Sequence, residues 1–134
     1  MDTELRASTV VDADPAAVFG YFTDPVLLTH WLATAARTDR TDAGQVLHAE
    51  ADGRHISALA IDQRPAGWVI YRWRITWPGE PQPLDTRLEL AIHRDANLAR
   101  VDVVHWHLDA RFLPRLQQDW HARLTRLQQA VSTR

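Results

Sequence analysis

Apolar and polar residues along this chain fall into two distinct periods. Leu5, Ala7, Thr9 and Val11 alternate with Arg6, Ser8 and Val10, which predicts a strand with one face inward. Two Asp-Pro pairs follow, Asp14-Pro15 and Asp24-Pro25. Each Asp can cap a helix, and each Pro suits the first helical position, where its missing N–H costs nothing. The first short helix carries Val18, Phe19 and Phe22 on one side. The second carries Leu27, Leu28, Trp31 and Leu32.

From about residue 36 to 108 the period becomes two. Turn signals stand at Asp42-Ala43-Gly44, Asp52-Gly53, Pro65-Ala66-Gly67, Pro78-Gly79-Glu80-Pro81 and Asp95-Ala96-Asn97. The pieces between them are about Arg37–Thr41, Gln45–Glu50, His55–Gln63, Trp68–Trp77, Leu84–Arg94 and Ala99–Leu108. They predict an antiparallel meander. In Trp68–Trp77, Val69, Tyr71, Trp73, Ile75 and Trp77 point one way, and Ile70, Arg72, Arg74 and Thr76 the other. Thr86, Leu88, Leu90 and Ile92 likewise oppose Arg87, Glu89 and His93. Such a sheet is covered on one side only. The cover is the last segment. Leu113, Leu116, Trp120, Leu124, Leu127 and Val131 recur every three or four residues, with Arg115, Asp119, Arg123 and Arg126 between them. That is an amphipathic helix of about five turns.

Composition narrows the chemistry. The 134 residues suit one α+β domain. All 15 basic residues are Arg, and neither Lys nor Cys occurs. Schiff bases, thiol nucleophiles, disulfides and Cys-based metal sites are therefore excluded. The three Ser residues (8, 57 and 132) lie in no G-x-S-x-G elbow, and there is no G-x-G-x-x-G or H-E-x-x-H. The all-Arg count reads as codon bias toward GC-rich triplets, as in many bacterial genomes. A net charge of -2 and dispersed Arg residues argue against a nucleic-acid partner. No apolar run is long enough to insert in a membrane. Met1-Asp2-Thr3-Glu4 has no signal-peptide character, so a cytoplasmic location is expected.

The order of elements, together with several short motifs, resembles the START/SRPBCC superfamily. The motifs are Val10-Val11-Asp12-Ala13-Asp14-Pro15-Ala16-Ala17-Val18-Phe19, Phe22-Thr23-Asp24-Pro25, His30-Trp31, Pro65 leading into Val69-Ile70-Tyr71-Arg72-Trp73, Val101-Asp102-Val103-Val104-His105, and Trp120-x-x-x-Leu124-x-x-Leu127. Within the superfamily they look like the branch named for the Aha-type activator of heat-shock protein 90 ATPase. The resemblance implies a helix-grip fold, a curved sheet of about seven strands (β-α-α-β6-α) around a long C-terminal helix, over residues 1–134. It also implies an internal cavity for a hydrophobic, lipid-like or polyketide-like molecule.

The expected cavity wall is Leu28, Trp31, Tyr71, Trp73, Leu88, Leu90, Val103, His105, Trp120 and Leu124. Small-molecule sites are mostly apolar with a few placed polar groups. The same side chains could instead pack on one another as core. Binding without catalysis and without a cofactor is the leading expectation. One alternative is a cyclase- or dehydratase-like enzyme with His105 as acid–base group and Tyr71 as its partner. Another is a chaperone-associated protein-interaction module. His105 and His107, two apart on one strand, are expected to share a face and are weak metal candidates, needing a third ligand such as His30, His121 or Asp119. His48, His55 and His93 read as surface residues, and Arg72 and Arg74 as cross-strand partners of Glu89. Trp68, Trp77 and Trp106, at strand ends or on the outer face, leave a homodimer open.

Overall fold

The computed structural model describes residues 3–132. Met1 and Asp2, half of the segment read for a signal peptide, lie outside the described residues. The strands are β1 (Thr3–Val11), β2 (Ala35–Thr41), β3 (Gly44–Ala51), β4 (Arg54–Arg64), β5 (Trp68–Thr76), β6 (Leu84–Asp95) and β7 (Leu98–Leu108). The helices are α1 (Pro15–Thr23), α2 (Pro25–Leu28) and α3 (Leu113–Ser132), with a 3-10 turn over Ala110–Phe112 before α3. All seven strands form one antiparallel sheet in the order β1-β7-β6-β5-β4-β3-β2. This is the helix-grip arrangement, with α3 against the concave face.

The hairpins follow from their turn residues. Ala51 pairs with Arg54, so Asp52-Gly53 is a two-residue loop, and both residues have positive φ (54° and 75°). That is the twist a tight hairpin needs, and Asp-Gly is the pair that tolerates it. Ala66 and Ala96 also sit in the left-handed region, at φ 64° and 56°. There the turn imposes the conformation on a residue that disfavours it.

The two Asp-Pro pairs behave differently. The Asp24 carboxylate accepts the backbone N–H of Val26 at 2.9 Å and caps α2. Asp14 makes no such cap; its carboxylate takes Arg94 at 2.9 Å instead. The second helix is a single turn ending at Leu28, so Trp31 and Leu32 lie beyond it. They are still buried, because the next amides turn back, with Leu32 N and Ala33 N both donating to Leu28 O. In α1, Tyr21 joins Val18 and Phe22 in the interior, whereas Phe19 is only partly buried.

Along β5 and β6 the alternation places Val69, Tyr71, Trp73 and Ile75 inward, with Thr86, Leu88, Leu90 and Ile92 beside them. The α3 stripe of Leu116, Trp120, Leu124, Leu127 and Val131 is buried against them; Leu113 is half-buried. Two expected solvent-facing residues of α3 are buried as well: Asp119 at 7% and Arg123 at 2% exposure. The curved sheet reaches round the flank of the helix, so the buried arc is wider than the apolar stripe. The outer-face Arg72 is bound by Asp85, in two contacts of 3.1 and 2.7 Å, and not by Glu89. Arg72 faces Arg87, so both acids are diagonal to it; Asp85 is the one that also faces Arg74, at 3.7 Å, and the two arginines share it. No helix among the described residues is long and apolar enough to cross a membrane.

Candidate functional site

The ten residues expected at the wall come from α2 and its following loop, β5, β6, β7 and α3. All are buried, and none is more than 5% exposed. They lie in one contiguous core, with a chain of aromatic contacts through its centre. Phe22 meets Trp31 with ring centroids 6.2 Å apart, Trp31 meets Trp120 at 6.5 Å, Trp120 meets Trp73 at 6.4 Å, and Trp73 meets Tyr71 at 5.8 Å. These are the tilted geometries that aromatic quadrupoles favour. The space between sheet and helix is thus occupied by side chains in contact.

The polar groups in this interior are assigned one by one. Trp31 Nε1 donates to Tyr21 O at 2.8 Å, and the Tyr71 hydroxyl donates to Phe22 O at 2.9 Å. Both acceptors are carbonyls in the last turn of α1, which lack partners within the helix. Burial pushes the Tyr71 hydroxyl well above its ordinary pKa. It remains a neutral donor.

His105 is fully buried and held from both sides. Trp120 Nε1 lies 3.1 Å from Nδ1, and an indole N–H can only donate, so Nδ1 is the acceptor. The ring proton therefore sits on Nε2, 2.8 Å from Thr86 Oγ1. The Thr86 hydroxyl in turn donates to Trp73 O at 2.6 Å. The relay runs Trp120, His105, Thr86, Trp73 carbonyl, and every proton in it has one place. Desolvation, with the Arg123 charge adding to it, lowers the His105 pKa to about 3. The ring is neutral at ordinary pH and has no lone pair to offer a substrate proton.

The paired-histidine metal reading needs His105 and His107 on one face, and this is corrected. His107 adopts φ 64°, and Leu5 pairs with His105 whereas Thr3 pairs with Leu108, so a bulge interrupts the alternation. Such a bulge re-aims the side chains beyond it. His105 points into the core and His107 is exposed. Of the suggested third ligands, Asp119 binds Arg54 at 2.6 Å, and the His30 ring lies against Tyr21. His121 is on the exposed side of α3.

A second buried polar cluster lies at the end of the grip near the β3–β4 turn. Arg54 donates to Asp119, with the two side chains 6% and 8% exposed. The Arg54 guanidinium also lies 3.9 Å from the Trp77 ring centroid, and the Trp77 ring lies tilted against Phe112 with centroids 4.5 Å apart. Arg123 binds Asp52 at 2.7 Å and lies 4.6 Å from the Trp120 ring centroid. Burial pulls the Arg123 pKa down, against the opposing pull of Asp52 and Asp119. Sequence reading misses this cluster, because charges on a helix flank ordinarily mark its solvated side. The only available signal was the Asp52-Gly53 turn, which brings Arg54 toward the helix.

Two buried side-chain donors among the described residues have no partner: Trp73 Nε1 and Arg123 Nε. Both groups flank the Trp120 ring. A surface cleft of about 430 Å³ opens beside the loop after α2, lined by Thr29, His30, Trp31, Leu32, Ala33, Thr34, Ala51, Arg126 and Asp52, the partner of Arg123. Trp31 lines this cleft and also contacts Trp120, so it stands between cleft and core. Arg126 Nε holds the Trp31 carbonyl at 2.9 Å.

Comparison with known proteins places the chain among relatives of this shape. The family model described as "Activator of Hsp90 ATPase homolog 1-like protein" matches residues 12–132. No curated protein matches the sequence. Among solved structures, protein MLL2253 from Mesorhizobium loti is similar with a TM-score of 0.83 at 12% identity, over 98% of each chain. The Aha1 dimer from Colwellia psychrerythraea gives 0.77 at 16% identity, over 96% of each chain. DynU16, a protein of the dynemicin biosynthetic locus, gives 0.80 at 16% identity over 97% of this chain. This chain spans 47% of the length of DynU16. At such identities the likeness is one of fold.

Proposed function

The chain belongs to the family of Activator of Hsp90 ATPase homolog 1-like proteins, and from that premise we propose that it binds a small apolar molecule carrying an acceptor oxygen, between the sheet and α3. The observation that carries this reading is the Trp73 indole N–H, buried among aromatic rings without an acceptor. An unmet buried donor costs about 1–3 kcal/mol, and a ligand carbonyl or hydroxyl would relieve it. The surrounding rings suit a flat or lipid-like body. The proposed entrance is the cleft beside Trp31; entry requires Trp31 to leave Trp120 and to give up its bond to Tyr21 O. That DynU16, a protein of the dynemicin biosynthetic locus, shares the fold supports a small-molecule ligand. Turnover through His105 is not proposed, since both of its ring nitrogens are engaged.

Tryptophan fluorescence and thermal shift across a panel of fatty acids and aromatic polyketide-type compounds test this. A binder should change the emission of Trp31, Trp73 and Trp120 and raise the melting temperature. Trp73→Phe should fold normally and weaken that binder several-fold, the value of one hydrogen bond. No response to the whole panel, or equal binding by Trp73→Phe, would sink the reading.

A homodimer is a second reading, favoured by the dimeric Colwellia relative of the same fold. Light scattering on the purified protein should then give about twice the 15.3 kDa chain mass.

A further inference from the structure

We infer that His48 and His55 form a binding site for a divalent transition-metal ion of the zinc type on the outer face of the sheet, separate from the small-molecule site. His48 is on β3 and His55 on β4, and register sets them diagonally on the same face: His48 opposes Ser57, and His55 opposes Glu50. Their rings are stacked, with centroids 5.5 Å apart. His48 Nδ1 faces His55 Nε2 at 3.4 Å.

The outer nitrogens decide what the inner ones can be. His55 Nδ1 lies 2.7 Å from Glu50 Oε1, and a carboxylate only accepts, so that nitrogen carries the proton. His55 Nε2 therefore presents a lone pair. On the other ring, Nε2 lies 3.4 Å from Asp39 Oδ2, an oxygen that Arg37 also binds; a proton on Nε2 leaves His48 Nδ1 as a second lone pair. Two lone pairs then face each other across the gap. Moving the His48 proton to Nδ1 would close the gap with a hydrogen bond but turn the other lone pair onto the Asp39 carboxylate. In the first arrangement the gap between the rings holds two lone pairs and no positive charge.

A metal ion supplies it in the geometry observed. Zinc–imidazole bonds of about 2.0–2.1 Å at the tetrahedral angle hold two nitrogens roughly 3.4 Å apart. Metal-bound histidines characteristically donate their other N–H to a carboxylate, which fixes the tautomer and strengthens the donor. Glu50 and Asp39 stand in that position. Among the described residues no three His or carboxylate side chains converge on one point, so water completes the coordination. An adjoining cleft of about 170 Å³, lined in part by Ala36, Arg37 and Ala49, leaves room for it. Two imidazoles select zinc, nickel or copper over magnesium or calcium.

The test is titration of the intact protein with Zn²⁺ alone at pH 7.5, by calorimetry and thermal shift. One saturable ion per chain is expected, with a rise in melting temperature and no response to Mg²⁺. His48→Ala and His55→Ala, both on the outer face and outside the core, should each abolish the shift while keeping the wild-type circular dichroism spectrum. Glu50→Gln should weaken binding by roughly 10–100-fold. His121→Ala, on the far side of the molecule, should bind as the wild type does. If Zn²⁺ gives no saturable binding, the gap holds only a proton and the site does not exist. Zinc binding that survives in the His48→Ala/His55→Ala double variant would also overturn it. Neither outcome bears on ligand binding in the interior.

Discussion

His105 ties its relay to acidity. Its pKa is lowered to about 3 in the fold, against an ordinary value of 6.5. Below pH 6.5 the unfolded chain gains a proton on this ring that the native state refuses, so stability falls as pH drops from about 6.5 toward 3. The loss amounts to a few kcal/mol (~1.4 per pH unit crossed). Above pH 6.5 the ring is neutral in both states and contributes no slope. Urea unfolding at pH 4.5 and 7.5 should show this slope, and a His105→Leu variant should show a flatter one. Thr86→Val leaves the ring's Nε2–H without an acceptor and should cost about 1–3 kcal/mol at pH 7.5, whereas Thr86→Ser should not. That His105 faces inward was legible from the alternation of Val101 and Val103. Its partners were not, because Thr86 and Trp120 reach it only through strand register and helix docking. Nor was the outward turn of His107, which depends on a bulge that leaves no mark in the residue types.

The elements show where amphipathic patterning tells enough and where it stops. The hairpins were readable because Asp-Gly and Pro-Ala-Gly carry their own geometry. The second helix stopped one turn early, since Asp24-Pro25 specifies a start and nothing in Leu27 to Leu32 specifies the end. In α3 the apolar stripe was plain, yet Asp119 and Arg123 are buried beyond its edges. The Arg54–Asp119 pair is the sharpest test of this burial. Removing one partner of such a pair strands the other charge away from water. Asp119→Ala should therefore lose about 3–5 kcal/mol. The joint change Arg54→Met with Asp119→Leu should recover most of that loss, since packed apolar side chains replace a buried ion pair at little cost. Chemical denaturation of the three proteins measures the difference directly. Equal losses in the single and double variants would mean that packing against Trp77, and not charge, holds Arg54 in place.

At the scale of the molecule, the helix-grip arrangement was legible because one large apolar sheet face and one long apolar helix face have only each other to cover. How tightly they close was not, since that depends on side-chain volumes summed over five elements. The sheet order has a consequence in time. Strands β2 to β7 are joined by successive hairpins, each of which pairs neighbours in sequence. β1 is the exception: it pairs with β7, joining Val11 to Ala99 and Ser8 to Asp102. Its other anchor is equally remote, with Gln128 of α3 holding the Val10 carbonyl at 3.1 Å. β1 has no place to bind until β7 exists. Closing so long a loop costs entropy before any contact repays it. The meander should form early and β1 should join late. Val11→Ala should accordingly speed unfolding and leave the refolding rate nearly unchanged, whereas Leu90→Ala should slow refolding. On the ribosome, residues 3–11 wait without their partner until β7 has emerged, so β1 is the strand most in need of protection while the chain is being made.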